Sequence, residues 1–148
     1  MKEIKFKIAA KDDINIVYNI ENELFNNNWT KERLLKQMES NISFFRLMYI
    51  CDDLVGYYWL WNIFDESQIV SFGIKKEYRN KGYGKKLFED LIYILKKENI
   101  KSLYLEVRSK NKAAINIYQN YGLKEYRRIE KYYNNPEDDG ICMKMEID

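Results

Sequence analysis

The chain has 148 residues, of which 46% are hydrophobic and 32% are charged. This length and composition suit one globular domain with a buried core and show no bias toward disorder. The formal net charge of +2 is close to balanced, so the composition does not indicate a general nucleic-acid-binding surface. No apolar run approaches the length of a membrane span, and the first residues lack the apolar stretch of a signal peptide. We therefore predict a single domain over residues 1–148, located in the cytoplasm, with no direct contact to membrane or nucleic acid.

The sequence contains no histidine. This excludes Ser-His-Asp and Cys-His nucleophilic systems and the usual zinc sites, and we predict no metal. A general base must then be a carboxylate, a cysteine, a lysine, a tyrosine or water. Two cysteines, Cys51 and Cys142, are too few for a disulfide framework. We interpret both as small apolar residues in strands of a reduced protein.

Hydrophobic periodicity predicts strands and helices in the order β-α-α-β-β-β-α-β-α-β-β. The predicted strands cover residues 4–9, 44–50, 54–64, 68–74, 103–108, 123–133 and 141–147. The predicted helices cover residues 11–25, 30–38, 87–95 and 111–121. Three asparagines at residues 26–28 separate the first two helices, and residues 52–53, 65–67 and 134–140 form turns and the last loop. The predicted fold class is α/β (α+β), with three successive antiparallel strands before the third helix.

A cationic glycine turn, RNKGYGKK at residues 79–86, joins the strand at 68–74 to the third helix. Gly82 and Gly84 allow a tight turn whose amide N–H groups point into one small space beside the positive end of the helix dipole. Phosphates bind well at such a place. Leu87 stands where a dinucleotide-binding fingerprint needs its third glycine, and the turn has no Walker A motif. The alternative is an ordinary strand-to-helix turn with a solvated basic face.

The R-x-x-G-x-G pattern from Arg79 to Gly84 resembles the coenzyme A pyrophosphate loop of the GNAT superfamily of N-acetyltransferases. The predicted element order is also similar to the GNAT fold over the whole chain. The resemblance implies a single mixed, largely antiparallel sheet flanked by about four helices, with acetyl-CoA as the co-substrate. The cofactor contacts that it implies are the backbone of Phe72, Gly73 and Ile74 for the acetyl-pantetheine arm, Asn80, Lys81, Gly82, Tyr83, Gly84 and Lys85 for the pyrophosphate, and Asn111.

Further segments resemble the ribosomal-protein alanine N-acetyltransferases, a family that acetylates protein N-terminal α-amines. They are L-E-V-R at residues 105–108, N-x-A-A-I-x-x-Y at 111–118, Ile20-Glu21 with Trp29-Thr30, and the pair Tyr132-Tyr133. This resemblance implies that Glu106 is the general base and Tyr118 the general acid. It also implies that Trp29, Tyr132 and Tyr133 wall a slot for the N-terminus of a protein, with a small-subunit ribosomal protein that begins with alanine as the expected partner.

The residues themselves agree with these roles without requiring them. Glu106 shares a predicted strand face with Tyr104 and Arg108, and a carboxylate near a cleft can accept a proton directly or through water. An α-amine has a pKa of about 7.7–8.0, against about 10.4 for lysine, so a weak base suffices for an N-terminal substrate. By spacing alone, Glu106 also suits a surface glutamate paired with a cation, Tyr118 suits a core aromatic, and Asn111 suits a helix cap.

The sequence leaves three functions open. The first is an acetyl-CoA-dependent N-terminal acetyltransferase, the second is the same enzyme acting on a small amine such as a polyamine or aminosugar, and the third is a non-catalytic acyl-CoA-binding module. A cysteine-based acetyl-enzyme is disfavoured because no histidine activates Cys51 or Cys142. The acidic run at residues 137–139 is either a solvated loop or an attraction for a basic substrate.

Overall fold

The computed structural model describes residues 2–25 and 29–148. Within these ranges the chain forms seven strands and four helices in the predicted order. The strands are β1 (Ile4–Ile8), β2 (Ser43–Ile50), β3 (Asp53–Ile63), β4 (Glu66–Ile74), β5 (Ser102–Arg108), β6 (Lys124–Tyr133) and β7 (Asp138–Glu146). The helices are α1 (Ile14–Phe25), α2 (Lys31–Glu39), α3 (Tyr83–Lys97) and α4 (Lys112–Asn120). The predicted break at residues 26–28 lies outside the described residues.

The strands form one sheet in the order β1-β2-β3-β4-β5-β7-β6. All neighbours in this sheet are antiparallel except β4 and β5, which are parallel. A parallel pair needs a crossover connection, and α3 supplies it between these two strands. The predicted mixed, largely antiparallel sheet with four helices is confirmed.

Each face of the sheet carries its own hydrophobic core. On one face α3 contributes fully buried leucines, among them Leu87 and Leu91, and α4 packs beside it. On the other face α1 and α2 pack onto the buried ring of Trp59 through Ile20 and Leu34. The apolar stripes of the four helices therefore cover the two faces separately.

The side chains of β5 alternate between these faces. Leu103, Leu105 and Val107 are buried in the core beneath α3. Strand geometry turns Glu106 to the opposite face, as predicted.

The ends of α4 confirm the predicted signals. The Asn111 side chain accepts a hydrogen bond from the backbone N–H of Ala114 at 3.1 Å. At the other end Gly122 has φ +108°, a conformation that residues with a side chain rarely adopt. The N–H of Leu123 then reaches back to the carbonyl of Tyr118 at 3.0 Å, which closes the helix as a Schellman motif does.

Two predictions about turns are wrong in detail. Cys142 is buried in β7, but Cys51 lies exposed in the turn between β2 and β3 with φ +54°, so it is not a strand residue. The last loop is also shorter than predicted, because β7 begins at Asp138. That carboxylate is buried and accepts hydrogen bonds from the Ser109 hydroxyl at 2.5 Å and the Lys110 N–H at 3.1 Å. Asp138 is thus a structural anchor, neither solvated nor free to attract a substrate.

One buried charge network was not predicted from the sequence. Arg46 of β2 makes a bidentate ion pair with Asp90 of α3, with both N···O distances 3.0 Å. The Tyr58 hydroxyl of β3 donates to the same carboxylate at 2.7 Å. These contacts fasten α3 across two strands and satisfy groups that would be costly to bury alone.

Candidate active site

The sheet opens between β4 and β5. Their ladder has three residue pairs and ends at the pair Gln68 and Tyr104. Beyond it β4 continues to Ile74, while β5 continues to Arg108 alongside β7. The two strand ends therefore form a wedge, with the end of β4 on one side and the end of β5 on the other.

A cavity of about 460 Å³, here named the β4–α4 cavity, lies between the end of β4, the glycine turn and α4, with the end of α1 at its rim. Its lining includes the predicted site residues Phe72, Gly73, Ile74, Asn80, Gly84, Asn111 and Tyr118. The predicted turn residues Lys81, Gly82, Tyr83 and Lys85 are close in sequence but do not line it.

The glycine turn presents backbone amides beside this cavity. Gly82, with φ +86°, is the residue before α3, and the first helical hydrogen bond runs from the N–H of Lys86 to its carbonyl at 3.3 Å. The amides of Tyr83, Gly84 and Lys85 precede that bond and have no partner within the helix. Three such donors at the positive end of a helix suit a pyrophosphate group.

Side chains fix the shape of the turn. The Arg79 side chain donates from Nε to the carbonyl of Ile74 at 2.8 Å, which closes the turn onto the end of β4. Lys81 donates to the carbonyl of Glu77 at 3.3 Å and lies over the ring of Tyr78. The motif arginine is thus a structural tie to the end of β4, and the donors at the start of α3 are backbone amides.

Tyr118 projects from α4 into the β4–α4 cavity. Its ring also contacts Phe72, with 6.4 Å between ring centroids, so it packs as a core aromatic and lines the cavity at once. Burial raises the pKa of Tyr118 to about 12, with a smaller contribution from Tyr121. The hydroxyl therefore holds its proton across the neutral range and is available as a donor.

Glu106 lies on the other side of the wedge, in the wall of a second cavity. This β5 cavity has a volume of about 380 Å³ and is lined by residues of β3 to β7, including Trp61, Gln68, Tyr104 and Tyr126. The Glu106 Oε1 atom accepts a hydrogen bond from Gln68 Nε2 at 2.8 Å. Glu106 and Tyr118 thus belong to different cavities on the two sides of one opening.

Tyr132 also interacts with Glu106. A hydrogen bond to the Glu106 carboxylate, together with burial, raises the pKa of Tyr132 to about 12. The ring reaches this position by lying directly over Gly140 of β7, where an added Cβ atom would stand 2.8 Å from Tyr132 Cδ2. The structure therefore brings this predicted acceptor residue against the predicted base.

The turn between β6 and β7 is held by Arg108. Its guanidinium donates to the carbonyls of Pro136 at 2.8 Å and Asn134 at 3.4 Å, and it lies 4.4 Å from the ring centroid of Tyr133. The arginine of the L-E-V-R segment thus joins β5 to the turn that follows both tyrosines. Sequence reasoning missed this contact, and it missed those of Gln68 and Gly140.

Trp29 is not brought to either cavity. Its ring packs on Trp59 with 5.2 Å between centroids, and the Arg33 guanidinium lies 5.2 Å from it. This is the arrangement of a core residue, and an acceptor role for Trp29 remains a prediction.

Two other kinds of feature are absent from the described residues. In residues 2–25 and 29–148 no group of three or more Cys, Asp or Glu side chains is placed to hold a metal ion. Within those same ranges no helix is both long and apolar enough to span a membrane.

Comparison with known proteins identifies the family. A model described as the acetyltransferase (GNAT) family matches residues 14–123. The chain belongs to the GNAT acetyltransferase family. This GNAT N-acetyltransferase is 31% identical to a Bacillus subtilis protein provisionally named a ribosomal protein bS18-alanine N-acetyltransferase, over 97% of this chain and 99% of that protein.

Solved structures support the fold of this GNAT protein. The ribosomal-protein-S18-alanine N-acetyltransferase of Escherichia coli superimposes with a TM-score of 0.88, at 23% identity, over 98% of this chain and 94% of that one. NAA60 of Arabidopsis thaliana, solved in complex with acetyl-CoA, superimposes with a TM-score of 0.82, at 17% identity, over 98% of this chain and 99% of that one.

Proposed function

We propose that this protein transfers an acetyl group from acetyl-CoA to the N-terminal α-amine of a protein, and that it does so in the cytoplasm on a ribosomal protein that begins with alanine. The observation that carries the proposal is the pair of cavities at the wedge. One has glycines, helix amides and the protonated Tyr118 hydroxyl around it, and the other has the Glu106 carboxylate in its wall. Acetyl transfer requires separate binding sites for the donor and the acceptor, and the two cavities would provide them.

The β4–α4 cavity suits the donor. The backbone of Phe72, Gly73 and Ile74 would bind the acetyl-pantetheine arm, and the amides at residues 80–85 would bind the pyrophosphate. Gly84 supports this assignment, because an added Cβ there would stand 3.3 Å from the Tyr121 hydroxyl and would narrow the cavity. Asn111 lines the same cavity and caps α4, so a cofactor contact would be its second role.

The two catalytic groups would handle the two protons of the reaction. The acceptor nitrogen attacks the thioester carbon, the C–S bond breaks, and the acetyl group passes to nitrogen. Glu106 accepts the proton that the nitrogen loses, and Tyr118 provides a proton to the leaving sulfur. Because a free α-amine is only about half protonated near pH 8, a carboxylate acting directly or through water is a sufficient base.

The acceptor is inferred from the relatives. The names of the Bacillus subtilis and Escherichia coli proteins specify alanine of ribosomal protein bS18 or S18. The contact between Tyr132 and Glu106, and the Arg108 tie to the loop beyond it, support an acceptor path along the β6–β7 side of the wedge.

The test is to incubate the protein with acetyl-CoA and paired peptides that differ only at the N-terminus, and in parallel with polyamines and aminosugars. Both peptide sets contain internal lysines; one begins with a free alanine and the other is N-blocked. Mass spectrometry should locate acetyl groups on the free N-termini alone. Glu106→Gln and Tyr118→Phe should each strongly lower the rate at which this product forms. For Glu106→Gln, the variant of the proposed base, we expect a decrease of about 10²–10⁴-fold.

Two other outcomes would decide against the proposal. Acetylation of polyamines or aminosugars but of neither peptide set would assign a small amine as the acceptor. Binding of acetyl-CoA without any product would indicate a non-catalytic acyl-CoA-binding module.

A further inference from the structure

The Glu106 carboxylate is held by a residue of the neighbouring strand. Gln68 of β4 donates from Nε2 to Glu106 Oε1 at 2.8 Å, a bond between residues 38 positions apart in sequence. An ionised carboxylate only accepts hydrogen bonds, so the amide nitrogen of Gln68 must face it. Both side chains line the β5 cavity.

This bond lies where the backbone ladder stops. Gln68 and Tyr104 are the last pair that β4 and β5 share, and Glu106 lies two residues further along β5 on the same face as Tyr104. The side-chain bond therefore spans the opening of the wedge diagonally. It connects the end of β5 to β4 beyond the last described backbone pair between these two strands.

Neighbouring side chains restrict Gln68. Trp61 is its register partner on β3 and Tyr104 its partner on β5, and both line the same cavity. Trp61 is itself fixed, because its Nε1 donates to Gln37 Oε1 at 3.1 Å. Because these neighbours already restrict the Gln68 side chain, it loses less conformational entropy on bonding to Glu106 than an unrestricted side chain would.

We propose that Gln68 is a positioning residue for Glu106, which orients the carboxylate toward the acceptor amine across the wedge. The inference rests on the proposed function, in which Glu106 is the general base. A neutral donor suits this task, since it fixes one carboxylate oxygen without neutralising the charge that accepts the proton. A carboxylate has about four acceptor sites, so the remaining ones stay open to the amine, to a water or to Tyr132.

The test compares Gln68→Met, which keeps the length of the side chain but removes the donor, with Gln119→Met as a control for the same substitution. Gln119 is an exposed glutamine of α4 that lines neither cavity. We expect Gln68→Met to lower kcat by about 10- to 100-fold, since small displacements of a catalytic group have effects of this size. The KM for acetyl-CoA should stay unchanged, and Gln119→Met should retain the wild-type kcat.

A second comparison separates positioning from a structural role. In a Glu106→Gln background the added Gln68→Met change should have little further effect, because a residue that acts only through the base has nothing left to orient. Gln68→Glu keeps the shape but places a second carboxylate beside Glu106, and it should lower kcat at least as much as Gln68→Met. Acetyl-CoA binding and thermal unfolding show that each variant is folded.

Different results would overturn the positioning role of Gln68 and the general-base role of Glu106. A loss of kcat from Gln68→Met that is equally large with and without Glu106, or a wild-type kcat in folded Gln68→Met and Gln68→Glu, would overturn the positioning role. Full activity of Glu106→Gln would instead overturn the base assignment itself.

Discussion

The two cavities at the wedge are built in different ways. The turn that borders the β4–α4 cavity is held by a local contact, from Arg79 to a carbonyl five residues earlier. The carboxylate in the β5 cavity is held by a distant contact, from Gln68 across 38 residues, and it also raises the pKa of Tyr132 on the β6–β7 hairpin. The β4–α4 cavity thus comes mainly from one continuous stretch of sequence and α4. The β5 cavity is formed by residues that are far apart in sequence and that the sheet brings together.

This difference has a physical consequence. Residues 72–85 keep their relative geometry as long as β4, the turn and α3 fold. The Glu106 side depends on the register of β5, because a slip of one residue turns every side chain to the opposite face. Changes that displace strands should therefore act on the reaction rate, and changes at the end of β4 should act on acetyl-CoA affinity.

Among the changes that separate the two cavities, the largest effect is expected from Gly140→Ala, on the proposed acceptor side. The new Cβ would meet three atoms of the Tyr132 side chain at 2.8–3.1 Å, so the ring must move away from Glu106. We expect kcat to fall by about 10- to 100-fold, because a shift of this size misplaces the catalytic groups. Acetyl-CoA affinity, measured by calorimetry, should not change.

Tyr132→Phe is the control for this prediction. It removes the hydroxyl that contacts Glu106 and leaves the ring over Gly140. Adding Gly140→Ala to Tyr132→Phe should then cost little more activity. A full additional loss would mean that Gly140 acts on the strand and not through Tyr132.

Gly56→Ala is the matching change on the donor side. An added Cβ on this β3 residue would stand 2.6 Å from Ile74 Cδ1 and 2.8 Å from the Gly73 carbonyl oxygen, which is backbone and moves only with β4. We expect a loss of about 1–3 kcal/mol in the free energy of unfolding, as for other overpacked sites. Acetyl-CoA should bind about tenfold more weakly, which corresponds to about 1.4 kcal/mol.

Chemical denaturation and calorimetry measure these two effects separately. If Gly56→Ala lowers stability while acetyl-CoA affinity stays at the wild-type value, the end of β4 does not contact the donor. If instead kcat alone falls, the proposed division between the two cavities is wrong.

The same contrast explains what the sequence could predict. The turn at Gly82 and Gly84, the cap at Asn111 and the alternation around Glu106 are local signals, and the structure bears each of them out. The contact between Gln68 and Glu106 needs the register of β4 against β5, which no local pattern specifies.

Two further misses have related causes. The buried pair of Arg46 and Asp90 joins a strand to a helix 44 residues away, and each residue alone reads as an ordinary surface charge. The shorter last loop follows from the hydrogen bond between Ser109 and Asp138, whereas composition alone suggested a solvated acidic run. Long-range partners, rather than propensities, decided these regions.

Asn111→Ala should have a smaller effect, mainly on α4. It removes the side-chain oxygen that caps the N–H of Ala114 at 3.1 Å. We expect a loss of about 0.5–2 kcal/mol in the free energy of unfolding, measured by chemical denaturation. Asn111→Asp retains a capping oxygen, so its stability should stay near that of the wild type.

The aspartate variant also tests whether Asn111 has a second role in the β4–α4 cavity, the proposed donor site. If Asn111 contacts acetyl-CoA, Asn111→Asp should weaken binding even though the cap survives, since it places a charge beside a polyanionic ligand. Equal affinity in both proteins would leave Asn111 as a helix cap alone.

The smallest change is expected from alkaline pH. Tyr118 and Tyr132 both have a pKa raised to about 12, but burial is the main cause in the first and the hydrogen bond to Glu106 in the second. An acid works only while protonated, and a raised pKa extends its protonated range upward. With saturating substrates, kcat should therefore stay level from about pH 8.5 to about pH 10, where an ordinary tyrosine would already be half ionised.

Initial rates over this range, with the fold checked by circular dichroism at each pH, provide the measurement. A decline of kcat with a midpoint near pH 10 would show that the acid has an ordinary tyrosine pKa and that the cavity around Tyr118 is wet during turnover. Glu106→Gln adds a further contrast, because it should lower the pKa of Tyr132 and leave that of Tyr118 unchanged. Titration of the two ring signals by nuclear magnetic resonance would then separate the burial on one side of the wedge from the hydrogen bond on the other.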